Sequence, residues 1–235
     1  MLVREEGDEA VVIGQASHAW VAGQIARAWA GEVPYREHVE LAATQHDVGM
    51  AEWDRAPTLD HETGWPTSFM KMPLETHLEL WSQAPLKLVT QSRIAAVAVS
   101  LHGSKLYERR DLSRLEPEQA DAVRAYLDDQ RALRERLAAD VEHQAEIQRL
   151  MFTWDWLSLG LCLSWAPSDF DGGELRLERD TVTPWPFAQD SVIFICEGRR
   201  LTQRARDAPE LHRLLDEAER VDLRFELTRA PSGAP

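Results

Sequence analysis

The chain is 235 residues long, 44% hydrophobic, and carries a formal net charge of −14 from 40 acidic against 26 basic side chains. That length and apolar content support one sizeable core with a smaller appended layer at most. The acidic excess repels a phosphate backbone and anionic lipid alike, which excludes nucleic acid and membrane surfaces as bulk partners but leaves room for a local pocket that accepts an anion.

The opening residues, MLVREEGDEAVVI, lack the basic and then apolar pattern of a secretory signal, and no apolar run approaches the ~20 residues that span a bilayer. A cytoplasmic protein is expected. LVRE and AVVIG read as two short strands around the polar turn EGDEA. Ser17 is the expected N-cap of a helix running to Ala30, in which Trp20, Val21, Ile25, Ala28 and Trp29 recur at helical spacing. A second helix is expected from Arg36 to His46. Gly49 to Pro73 is rich in proline and aromatic residues and reads as a long loop of the kind that serves as a lid or binding loop.

Helical pattern resumes in LETHLELWSQA and APLKLVTQSRIAAVAVSLHG, then in a charged stretch from Pro117 to Gln148 that leads straight into LMFTWDWLSLGLCLSW. The charged stretch has the mixed signs of a solvated face and offers a surface for pairing with a second copy in a homodimer. Beyond Pro167, ELRLERD, TVTPWPF, SVIFICEGRRL and VDLRFELTR are strand-like runs interrupted by the helix PELHRLLDEAER. The expected architecture is mainly α, and α+β overall. A helical core with its N-terminal hairpin takes residues 1–167, and a β-rich appendage packed on that core takes 168–235, its strands adding to the N-terminal pair as a small sheet. The final APSGAP is expected to fray. Cys162 and Cys196 each sit in an apolar run and read as buried free thiols rather than a disulfide or a thiolate metal site.

Asp155 is the anomaly in this pattern. Its helical neighbours Met151, Phe152, Trp154, Trp156, Leu157 and Leu159 are apolar on every side, and a buried carboxylate needs a cation or a set of donors. Four histidines also fall on apolar helix faces. His18 aligns with Val21, Ala22, Ile25 and Trp29; His46 with Val39, Ala42 and Ala43; His77 with Leu74, Leu78 and Trp81; His102 with Ala95, Ala98 and Val99. A single histidine in such a place is more often a core residue with one hydrogen bond. Four inward imidazoles together with Asp47 and Asp155 are hard to satisfy among themselves, whereas one or two divalent cations satisfy them all. His38, His143 and His212 lie among charged residues, and His61 lies in the long loop.

The order His18, His46-Asp47, His77, His102, Asp155 resembles the ligand order of the two-metal members of the HD-domain superfamily. The segments GQASHAWVAGQIARAW, HDVGMAEWD, SLHGSKLY, WDWLSLGLC and PWPFA further resemble an uncharacterised bacterial family, domain of unknown function family 3891. The superfamily resemblance implies that His18, His46 and Asp155 hold one ion, His77 and His102 the other, and Asp47 both. His61 is an alternative to His77, and a single ion is an alternative to two.

Imidazole and carboxylate ligands without thiolate suit two divalent transition-metal ions, iron or manganese first, with cobalt, nickel and zinc also compatible. The activity the resemblance implies is hydrolysis of a phosphoester or another small anionic substrate, by a hydroxide bridging the two metals that Asp47 helps to hold. Lys105 offers a point charge for such an anion, with an ordinary surface lysine as the alternative, and Gln15, Trp53, Asp54 and Tyr107 flank ligand segments as candidate pocket walls. Met50 stands where many HD phosphohydrolases carry Lys or His. A diiron oxygenase resembling myo-inositol oxygenase or the phosphonate-cleaving oxygenases, and a non-catalytic metal- or nucleotide-binding module, are the alternative functions.

Overall fold

In the computed structural model, which describes residues 1–138, 140–164 and 175–230, the chain opens on a hairpin. Strands β1 (Leu2–Glu6) and β2 (Glu9–Ile13) pair antiparallel from Leu2 with Ile13 to Glu6 with Glu9. The two-residue turn between them uses Gly7 at φ +71, a left-handed conformation that glycine adopts without a Cβ penalty.

Helix α1 (Gln15–Ala28) begins two residues before the expected cap. Gly14 holds the N-cap without a side-chain bond, and the Gln15 amide donates instead to Asp54 Oδ2 at 2.5 Å. The correction is physical. A carboxylate from 39 residues away satisfies the first free amide, so the Ser17 hydroxyl is not needed there. Helix α2 (Arg36–Gln45) follows. The expected loop from Gly49 to Pro73 contains more regular structure than its composition suggests: 3-10 turns at Val48–Met50 and Phe69–Lys71, and the short helix α3 (Ala51–Arg55).

Helix α4 (Leu74–Leu88) gives way to α5 (Arg93–Glu108), with Ser92 as N-cap accepting from Ala95 N at 3.1 Å. The charged stretch is not continuous with the apolar helix after it. Helix α6 (Pro117–Ala138) ends, and α7 (Gln144–Cys162) starts after His143 in a left-handed conformation, φ 59. Helix α6 buries Val123, Tyr126 and Leu133, so its apolar stripe faces inward against α4 and α5 while its charges face out, apart from Arg134, which bonds to Ser100 and Ser104 of α5.

Strands β3 (Arg176–Glu178) and β4 (Thr181–Thr183) form a small ribbon. Strand β5 (Ser191–Leu201), helix α8 (Ala208–Glu217) and strand β6 (Glu219–Thr228) complete the described residues. The main sheet has the order β1-β2-β5-β6, all antiparallel, so β5 and β6 join the N-terminal pair as expected, whereas β3 and β4 pair only with each other. Strand β2 meets β5 only from Ala10 with Leu201 to Val12 with Arg199. Farther along β5, Gln24 of α1 takes over, accepting from Ile195 N at 3.1 Å and donating to Ile195 O at 2.8 Å. The architecture is mainly α, α+β overall. The expected 167/168 boundary and the PSGAP tail lie outside the described residues.

Helix α1 packs on α2, α7 and β5, while α5 packs on α2, α4, α6 and α7. Both cysteines are free and buried, and the two thiols are close enough to perturb each other, at the end of α7 and in β5. Among the described residues no helix is long and apolar enough to cross a membrane.

Candidate metal centre

Four of the core helices each deliver one or two polar side chains to a single interior point. His18 comes from α1, His46 and Asp47 from the end of α2, His102 from α5 and Asp155 from α7, and all five are buried. They form two overlapping groups, His18 with His46 and Asp47, and His46 with His102 and Asp155, in which the candidate ligand atoms lie within 4.8 Å of one another. These groups could hold a metal ion.

The orientation of the imidazoles follows from the helices that carry them. His46 Nδ1 is 2.8 Å from the Ala43 carbonyl and His18 Nδ1 is 3.1 Å from the Gln15 carbonyl, each three residues back along the chain. A proton on Nδ1 satisfies that carbonyl and turns the Nε2 lone pair inward, the arrangement by which outer partners orient metal-binding histidines. Inward, His18 Nε2 lies 2.9 Å and His46 Nε2 3.2 Å from Asp155 Oδ1, and His102 Nε2 lies 3.5 Å from Asp155 Oδ2. Asp47 Oδ2 sits 3.3 Å from His18 Nδ1 and 3.6 Å from His46 Nε2.

Protons alone serve this arrangement poorly. His18 meets oxygens on both sides of its ring, yet burial, with His46 adding repulsion, pulls its pKa down to about 3 and leaves it one proton to share. Burial likewise lowers His102 to about 4, and neither of its nitrogens finds a hydrogen-bond partner among the described residues. His46 goes the other way. Burial opposes its charge, but the carboxylates of Asp47 and Asp155 outweigh it and hold the ring up to about 9. Burial raises Asp47 to about 7, while Asp155, despite its burial, is held near 2 by His46, His102 and His18. The buried Gln15 Oε1 is also without a hydrogen-bond partner among the described residues. A cation accepts several of these lone pairs at once, so the donor set fits a metal.

All of the cluster except His46 opens onto a cavity of about 170 Å³. His18, Asp47, His102 and Asp155 line one end of it, Gln15, His77, Trp81, Tyr107 and Arg110 supply further polar groups, and Phe69, Leu106 and Leu159 close it with apolar surface. A larger open groove by Tyr35, Arg36, His143 and Glu146 contains none of the cluster.

The other expected site residues are distributed unevenly. His77 lines the cavity but stands outside both metal-competent groups, its Nδ1 at 2.5 Å from Tyr107 Oη and its Nε2 accepting from Trp81 Nε1 at 3.1 Å. His61, the alternative to His77, is exposed and does not line the cavity. Gln15 and Tyr107 line it, but Trp53 and Asp54 do not. Asp54 caps α1 and lies 3.0 Å from the Met1 α-amino group, and Trp53 packs half-buried against the core. Lys105 also lies off the cavity wall, and Arg110 brings the positive charge there instead. Arg110 follows the C-cap of α5, where helical periodicity no longer gives a direction, so no pattern in the sequence pointed to it.

A family model described as "Protein of unknown function (DUF3891)" matches residues 1–203. The match takes in the whole cluster and the cavity wall and stops just after β5. No curated protein and no solved structure matches the chain.

Proposed function

The chain belongs to the DUF3891 family, and on that premise we propose that it is a metal-dependent hydrolase of the HD type, acting on a phosphoester or another small anionic substrate. The observation that carries the reading is the convergence of His18, His46, Asp47, His102 and Asp155 beneath a cavity that also presents Arg110. His18, His46, Asp47 and Asp155 would hold the first cation, with His102 beside it. A second cation would draw on His102 and His77, and His77 would first have to exchange its bond with Trp81 for a metal bond.

When bound, such cations supply Lewis acidity toward an anionic substrate and lower the pKa of water. The chain's own contribution is positional. The Gln15 and Ala43 carbonyls fix the rings of His18 and His46, and the ionised Asp155 faces three imidazoles, of which His46 carries the charge it balances. Phe69, Leu106 and Leu159 limit the water that reaches the substrate, and Arg110 attracts an anion into a chain whose overall charge repels one. Iron and manganese are the first candidates for the ion.

Elemental analysis of the purified chain, with turnover of p-nitrophenyl phosphate, tests the proposal. Wild-type protein should contain a transition metal, and Asp155→Asn should lose both metal and turnover while keeping its helical circular dichroism. Protein that contains no metal, and gains no stability from added Mn, Fe, Co, Ni or Zn, would sink the reading. Two irons with visible absorption after aerobic purification, and no hydrolysis, would redirect it to an oxygenase.

A further inference from the structure

The cavity has a second polar wall that the cation ligands leave unexplained. Trp81 Nε1 donates to His77 Nε2 at 3.1 Å, and an indole nitrogen can only donate. The Nε2 lone pair is therefore committed, and the one proton of the neutral ring sits on Nδ1. That proton is donated to Tyr107 Oη, 2.5 Å away. Tyr107 thus accepts from His77 and keeps its own hydroxyl proton to give. The Tyr107 side chain is buried against the cavity, and Arg110, whose amide bonds to the Tyr107 carbonyl at 3.1 Å, lines the same wall. No carboxylate pairs with the Arg110 guanidinium among the described residues, in a chain with 40 acidic side chains.

We propose that Tyr107 and Arg110 form the recognition wall for a tetrahedral oxyanion such as a phosphoryl group, with Trp81 and His77 acting as positioning residues that aim the Tyr107 hydroxyl into the cavity. The assignment rests on the anionic substrate proposed above and names its recognised group. A guanidinium offers paired donors that match two oxygens of such a group, and the tyrosine hydroxyl supplies a third. At about 170 Å³ the cavity is smaller than the ~300–1,000 Å³ of sites that enclose a drug-sized ligand. It takes the head of the substrate and leaves the remainder outside, where Arg110 is exposed.

Calorimetric titration of the full chain with inorganic phosphate tests this. Arg110→Gln and Tyr107→Phe should each weaken phosphate binding about tenfold, the effect of losing a charge-assisted hydrogen bond. Lys105→Gln removes the same charge from a neighbouring site off the wall and should leave the affinity unchanged. Arg110 is exposed, so its variant tests the wall without endangering the fold. Equal losses in Arg110→Gln and Lys105→Gln would reduce the effect to net charge and overturn the proposal. So would unchanged affinity in both wall variants, no phosphate binding by wild type, or acetate binding as tightly as phosphate. Metal content measured on the same samples keeps the two proposals apart: a wall that fails leaves metal content intact, and a cation site that fails shows as absent metal whatever phosphate does.

Discussion

At the scale of single residues, His46 decides how the cluster responds to pH. Burial works against its charge, but Asp47 and Asp155 hold its pKa up to about 9, so at neutral pH and without a bound cation it carries the positive charge the carboxylates require. A metal ion takes that place only by displacing the proton. Binding of Mn²⁺ at pH 7.5 should therefore release a proton, and apparent affinity should climb with pH until His46 is already neutral. Stability runs with the opposite sign. The contribution of a raised histidine is complete below its ordinary pKa of 6.5 and is lost as pH rises through about 9. The drop in melting temperature on adding a chelator should thus be larger at pH 9 than at pH 7. Calorimetry in two buffers of different ionisation enthalpy counts the protons, and none released at pH 7.5 would contradict the assignment of His46. The cluster residues His18, His46, His102 and Asp155 were visible in the sequence because each shares a helical stripe with core residues. Lys105 was misplaced because a residue three positions past His102 lies about 60° to one side of it, while Leu106 and Tyr107, which do line the cavity, lie to the other. His77 lies on the apolar face of α4 as expected, with Trp81 of the same helix on its Nε2, but its Nδ1 is engaged by Tyr107 from another helix, which no single-helix pattern reveals.

Among the elements, the approach of α1 to α2 sets the distance between His18 and His46. Gly23 is the point of contact: a Cβ there would stand 2.1 Å from Thr44 Oγ1 and 2.9 Å from Thr44 Cα. Gly23→Ala should force the helices apart and destabilise the fold by about 1–3 kcal/mol in urea titration, the usual cost of overpacking. It should also reduce metal content, although the atoms nearest the added methyl belong to Thr44 and not to a ligand. A stable variant with full metal content would show that the two helices are less tightly coupled than this contact implies. Gly23 carried no signal in the sequence, since a glycine within a helix pattern looks the same whether or not another helix touches it. The same limit explains α1 itself. Its period was plain, but its first residue was set by Asp54, a partner 39 residues away, where local reading favoured Ser17. The break between α6 and α7 was likewise hidden, because both sides of it are rich in good helix formers.

For the whole molecule, the sheet and the helices are held together by contacts distant in sequence. Strand β2 pairs with β5, Gln24 of α1 bridges to Ile195, and the thiols of Cys162 and Cys196 meet between α7 and β5. The strand-like segments at both ends are readable from β-branched runs and turn residues, and so is the joining of β5 and β6 to the N-terminal hairpin, though not the separate ribbon of β3 and β4. The short overlap of β2 with β5 is not readable either, because the length of a strand pairing is decided by what covers the rest of the edge. The carbonyls behind His18 and His46 have a further consequence, one of time. Each ring is tied to the backbone one turn earlier, at the entry of α1 and within the last turn of α2, so the ligands cannot swing away while those turns remain wound. A cation held there would leave on the clock of local helix opening rather than that of ligand exchange in solution. Its removal by excess chelator should reach a rate that no longer depends on chelator concentration and that matches hydrogen exchange of the α1 amides. A removal rate that keeps rising with chelator would mean the ion is reached through the cavity while the helices stay closed.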